Sequence, residues 1–249
     1  MARQSGLIKL KGTLDNVNFY KTKDGDLARM KTSVDAKRIA NDPAFVRTRE
    51  NGAEFGSSAS SGKLLRDSIR TMMQNASDGR VVARLTKIMT QIKNLDATSV
   101  RGARNVGVGI ALPEAKAKLK GFNFNLAAIL GSILYNPFAV DVATGVITID
   151  GLVPINEVST PQGATHMTLR GAWAKVDFAT GEADVQETNE VNLLLDATST
   201  DVVLTPAAAA AGAGTDLFLL MVEFFQEVNG VQYTLKNGAY NALSIVEVQ

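Results

Sequence analysis

The chain has 249 residues (26.5 kDa), 45% of them hydrophobic, with one histidine, no cysteine and a formal net charge of +1. Its apolar content is enough for substantial cores, and the absence of cysteine excludes disulfides, thiolate metal sites and cysteine nucleophiles. The near-neutral total hides a split: residues 1–120 hold 23 of the 26 Lys and Arg and 11 of the 25 Asp and Glu, a formal +12, whereas residues 121–249 carry −11. Such asymmetry points to a polyanionic partner for the basic half, to unlike ends of different molecules associating, or to two halves that fold together and cancel.

Residues 1–35 read as β-strands. "GLIKLKGTLDNVNFY" supplies two amphipathic strands and "DGDLARMK" a third, with Lys23-Asp24-Gly25-Asp26 as the turn of a hairpin. Their apolar residues are Leu7, Ile8, Leu10, Val17, Phe19, Tyr20, Leu27 and Met30. Two or three strands with one apolar face do not stay folded alone in water, and their edges offer unpaired backbone groups that recruit another strand. These eight residues are therefore the candidate interface, used as a donor strand on a neighbour's sheet. Between Arg3 and Lys9 only Gly6-Leu7-Ile8 is apolar, so no signal peptide is expected and no run approaches a membrane span. The expectation is cytoplasmic synthesis, with release by lysis or dedicated export leaving no mark on the sequence.

Residues 36–100 read as helices. Asp42-Pro43 is a helix start, with a side-chain acceptor at the cap and a residue of fixed φ behind it. Leu64, Leu65, Ser68, Ile69, Met72 and Met73 form one stripe, and Val81, Val82, Leu85, Ile88, Met89 and Ile92 form another. The link at Ser77-Asp78-Gly79 predicts a helical hairpin. Lys63, Arg66, Arg70, Arg80, Arg84 and Lys87 lie opposite the stripes, a candidate basic face for phosphates. These helices carry no aromatic residues for stacking and no Asn or Gln cluster for reading bases. A nucleic-acid-binding protein of a phage-like or mobile element is accordingly the second reading, and a solvated helix face is its plain alternative.

Residues 101–120, rich in glycine and basic residues, read as a linker. From residue 121 to 249 the pattern is strands and turns. Hairpins are predicted around Ala143-Thr144-Gly145, Ala179-Thr180-Gly181 and Asn229-Gly230, the last a pair suited to two positive φ angles. Seven to nine short strands at this spacing predict an antiparallel, immunoglobulin-like β-sandwich, so the fold class is α+β. The low-complexity tract "TPAAAAAGAGTD" is expected in a long loop.

Catalytic constellations are scarce. The single histidine, His166, sits in a strand-like stretch, which removes histidine-based triads and His-rich zinc sites. The pairs Glu182/Asp184 and Asp24/Asp26 fall at turns, where carboxylates are common for local reasons. No catalytic residue, metal site or cofactor is assigned, and the chain is expected not to be an enzyme. Trp173 is the one residue that suggests a third reading, a ligand- or carbohydrate-binding sandwich module.

The runs "GLIKLKGTLDNVNFYKTKDGDLAR", "NDPAFVRTRENGAEFG", "NASDGRVVARLT" and "EFFQEVNGVQYTLKNGAYNALSIVEV" resemble an uncharacterised family of hypothetical proteins of about 250 residues, widespread in Bacteroidetes. The resemblance spans nearly the whole chain, is loosest over about residues 110–215, and implies no activity and no functional residues. The leading expectation is a structural subunit that self-assembles into a filament, tube or shell. In such an assembly charge sets polarity, because exposed ion pairs contribute only about 0–1 kcal/mol each, and apolar burial holds the contact.

Overall fold

The computed structural model describes residues 2–6, 8–22, 25–31, 34–235 and 240–249. Two compact units are present, Met1–Arg49 and Glu50–Gln249.

The first unit opens with β1 (Ala2–Arg3), β2 (Gly12–Leu14), β3 (Val17–Thr22) and β4 (Gly25–Met30), an antiparallel sheet in the order β1-β4-β3-β2. Between β2 and β3 the chain reverses at Asp15, which takes φ 50°, a conformation Asp tolerates because its short side chain bonds locally. Ile8–Lys11 belongs to no strand, so the first strand expected from the sequence is replaced by an irregular segment leading into β2. Leu7 and the turn residues Lys23 and Asp24 lie outside the described residues. Helix α1 (Ala36–Asn41) is capped by Asp35. A 3-10 turn, Pro43–Phe45, follows with Asp42 accepting from Ala44 N at 2.9 Å, the Asp-Pro start anticipated above. Among the described residues of this unit none is buried.

Helix α2 (Val46–Ser68) runs across the division at residue 49 and is followed by α3 (Arg70–Met73) and α4 (Val81–Lys93). The predicted stripes meet: Leu65, Ile69, Met72, Val81, Leu85, Met89 and Ile92 are buried together, whereas Val82 stays exposed. Residues 101–120, expected to be a linker, instead form α5 (Val106–Gly109) and α6 (Pro113–Leu119), which bury Val106, Ile110, Ala115 and Leu119 in the same core. Gly109 shows why glycine stands there: a Cβ would lie 2.2 Å from the Ile92 carbonyl oxygen at the end of α4.

The remaining elements are α7 (Leu130–Ile133), β5 (Ala139–Val140), β6 (Ile147–Leu152), α8 (Pro154–Glu157), β7 (His166–Asp177), β8 (Glu182–Glu187), β9 (Val191–Leu194), β10 (Thr200–Leu204), β11 (Thr215–Val228), β12 (Val231–Thr234) and β13 (Ala242–Val248). The long antiparallel pair β7 and β11 is the middle of a six-stranded sheet, with β12 and β13 along β11 and β8 and β9 along β7. A three-stranded sheet has the order β10-β6-β5. The Asn229-Gly230 turn closes β11 onto β12 with φ of 53° and 76°, as the pair predicts.

Both faces of the central strands are covered, which explains the unbroken apolar run "LFLLMV" in β11. Leu217, Leu219 and Met221 face the helices with Ala172, Ala174 and Val176. Leu220, Val222 and Phe224 face the small sheet with Met167 and Leu169, against Ile147, Ile149, Val202 and Leu204. The alanine tract is a loop, and its Ala210 packs on Trp173 and Phe218.

The result is an α+β body of antiparallel sheets in which one sheet face carries helices. The charge divide at residue 120 is therefore not a division of the fold. Residues 50–120, a formal +6, share a core with the acidic strands, and only residues 1–49, also +6, form a unit of their own.

Candidate assembly surface

In the N-terminal sheet side chains alternate between faces, and the register sorts the residues. Leu14, Val17, Phe19, Ala28 and Met30 share one face. Asn18, Tyr20, Leu27 and Arg29 share the other, where the Arg29 guanidinium stands 5.4 Å from the Tyr20 ring centroid. The structure thus divides the predicted interface. Val17, Phe19 and Met30 stand together, Tyr20 and Leu27 stand behind them, and Ile8 and Leu10 lie on the irregular segment, 83% and 48% exposed. Leu14, 67% exposed, belongs to the apolar face and was missed. Its signal was Asp15-Asn16, a two-residue turn that puts Leu14 opposite Val17.

Gln4 was also missed. Its amide receives Leu10 N–H at 2.9 Å and donates to the carbonyls of Leu10 and Leu27 at 3.2 and 3.3 Å, while its own N–H reaches Asp26 O at 2.9 Å. One side chain thereby treats Leu10 as a neighbouring strand would and ties residues 8–11 to β4. The backbone groups of Lys9 and Lys11 make no hydrogen bond among the described residues.

The structure leaves Lys63, Arg70, Arg80 and Lys87 exposed and half-buries Arg66 and Arg84. Lys63 pairs with Asp67 at 2.8 Å on α2, and Arg66 donates to the Gly62 carbonyl within its own helix. Arg70 and Arg80 are exposed near the ends of α3 and α4. Arg84 serves the fold instead, since it pairs with Asp78, donates to the carbonyls of Asn123 and Phe124 at 2.7 and 3.1 Å, and lies over the Phe122 ring at 5.0 Å. Arg84 and Lys87 line a cleft of about 390 Å³ with Lys118 and Lys120, of which Lys120 pairs with Glu247 and Lys118 with Glu114.

The strongest electrostatic arrangement in the body is buried and structural. Glu54, 2% exposed, receives both Arg104 Nε and Nη2 at 2.9 Å, Lys93 Nζ at 2.5 Å and Gly102 N–H at 2.8 Å. The Arg104 guanidinium holds its carboxyl down at about 2 against the opposing effect of burial. Burial pushes Asp96 up, but bonds from Ser99, Asn105 and Thr98 outweigh it and keep this carboxyl below its ordinary range. Together these groups hold residues 96–105 against α2.

His166 shares a hydrogen bond with Thr165 Oγ1 and stands 3.6 Å from Glu227. Trp173, 7% exposed, donates its indole N–H to Asp216 and packs on Phe218, so its face is closed to a sugar. Among the described residues no cluster of His, Asp and Glu has metal-binding geometry, and no helix is long and apolar enough to cross a membrane. No protein-family model, curated protein or solved structure matches the chain.

Proposed function

We propose that this chain is a structural, non-catalytic subunit that self-associates through its N-terminal sheet, and that it belongs with the Bacteroidetes family its motifs resemble. One observation carries the reading: a four-stranded sheet exposes Leu14 and Met30 beside the half-covered Val17 and Phe19, and no described residue of its unit is buried. A single sheet layer needs a second layer to enclose a core. A different surface of another copy supplies that layer. The body, an immunoglobulin-like sandwich with an added helical layer in this reading, is the rigid part of the subunit. A formal +6 on residues 1–49 against −5 on residues 50–249 favours head-to-tail contacts between copies, the arrangement that closes as a ring or extends as a filament or tube.

The test is removal of residues 2–14 from the full chain, followed by light scattering and electron microscopy. The intact protein is expected to form polymers or closed particles and the truncated one to stay small. Equal assembly by both overturns the reading.

A further inference from the structure

The hairpin of β7 and β8 leaves a strand edge open. Thr188 N–H bonds Gly171 O and Gly181 N–H bonds Asp177 O, at the two ends of the pairing. Alternation along an antiparallel ladder then directs the N–H and C=O groups of Ala183, Val185 and Glu187 away from β7. Glu187 O is taken by Ala207 N–H at 3.1 Å, whereas no backbone group among the described residues pairs with the outward groups of Ala183 and Val185, and Val185 N–H is held only by the neighbouring Asp184 carboxylate. Beside this edge runs a groove of about 520 Å³, lined by Lys175, Glu182, Ala183 and Asp184 and by Ala211, Gly212 and Ala213, with Ala211 N–H donating to the Asp184 carboxylate at 2.7 Å. The alanine and glycine tract has a physical consequence here, because its short side chains leave the groove empty.

We infer that this groove accepts residues 8–14 of a second copy, added as a strand to β8. The inference rests on the self-association proposed above and names the acceptor. The segment "IKLKGTL" alternates Lys9 and Lys11 with Ile8 and Leu10, and carries no acid. Along β8, Glu182 and Asp184 alternate with Ala183 and Val185, and residues 182–190 carry four acids and no base. A strand laid in the groove pairs lysines with carboxylates on one face and covers Ile8 and Leu10 with the apolar pair on the other. Its backbone meets the outward groups of Ala183 and Val185, which have no strand beside them, the arrangement of strand addition at a sheet edge. Like charges on both strands would oppose the contact; here every charge on the donor is positive, β8 is acidic, and Lys175 in the groove is paired with Asp216 at 3.3 Å.

Ala183→Pro tests the acceptor in the full-length protein. Proline at this exposed edge position removes an outward donor and no bond of the β7 ladder. Sedimentation velocity over a concentration series is expected to show association in the wild type and association weakened about tenfold or more in the variant, with unchanged melting. A variant that associates as the wild type does overturns β8 as acceptor and leaves strand-driven association standing; a wild type that stays monomeric overturns both. If the proline variant melts early, a charge exchange decides. Lys11→Glu and Glu182→Lys should each weaken association about threefold and the double variant should restore it; absence of restoration overturns the pairing.

Discussion

Phe19 and Phe224 are both phenylalanines in the interior of antiparallel ladders, and their surroundings differ completely. Phe19 sits on β3, paired across to Ala28 and Gly12, and is only half-buried. Phe224 sits on β11 with no exposure, enclosed by the small sheet and meeting the edge of Tyr240 at 6.4 Å. The backbone bonds of the two strands are alike. What separates the regions is cover: the body buries both faces of its central strands, while the N-terminal sheet has a ladder with no buried residue among those described. A net hydrogen bond contributes only about 0.5–1.5 kcal/mol, so a ladder by itself defines a shape and leaves its stability to whatever lies on it.

That contrast can be broken by matched substitutions. The largest effect is expected from Phe224→Ala, a fully buried aromatic deletion that should cost about 3–5 kcal/mol in urea unfolding of the body. Glu54→Gln should come next, at about 3 kcal/mol, because it leaves the buried Lys93 and the half-buried Arg104 without their counter-charge. The same pair of proteins gives a pH test. With Glu54 at about 2 in the folded chain and about 4.3 unfolded, its contribution is complete above the unfolded value and is lost as pH falls through the folded one. The wild type should therefore lose stability in that acid window more steeply than Glu54→Gln, and parallel acid profiles would count against the ion-pair account. The smallest effect on melting is expected from Phe19→Ala, under about 1 kcal/mol for a partly exposed ring, yet light scattering should show weakened self-association. A Phe19→Ala protein that melts as far below wild type as Phe224→Ala does would mean that the N-terminal sheet has a core after all.

Local features were legible from residues a few positions apart. Asp42-Pro43 announced a capped turn, Asn229-Gly230 announced a hairpin, and the apolar period of residues 64–92 placed two helices against one another. Each of these depends on φ preference or on a repeat of 3.6, which neighbouring residues display without help from the rest of the chain. The candidate interface was legible in composition but not in arrangement. Alternation along β3 sets Val17 and Tyr20 on opposite faces, but only the Asp15-Asn16 turn, which pairs Leu14 with Val17, adds Leu14 to the apolar one. Arg84 was misplaced for a related reason: it reads as surface on a helical wheel, and only the approach of residues 123 and 124, some forty positions later, gives it carbonyls to bind.

By itself the sequence determined the elements with local causes: the turns, the helix starts, the amphipathic stripes, the antiparallel character of the second half and the absence of thiol and histidine-triad chemistry. Tertiary structure alone decided that residues 101–120 enter the core, that Glu54 gathers Lys93 and Arg104, and that the chain divides near residue 49 while its charge divides at residue 120. The reason is range. Backbone preference and periodicity act over one or two turns of chain, whereas burial and the pairing of buried charges depend on groups that meet only once the layers have closed.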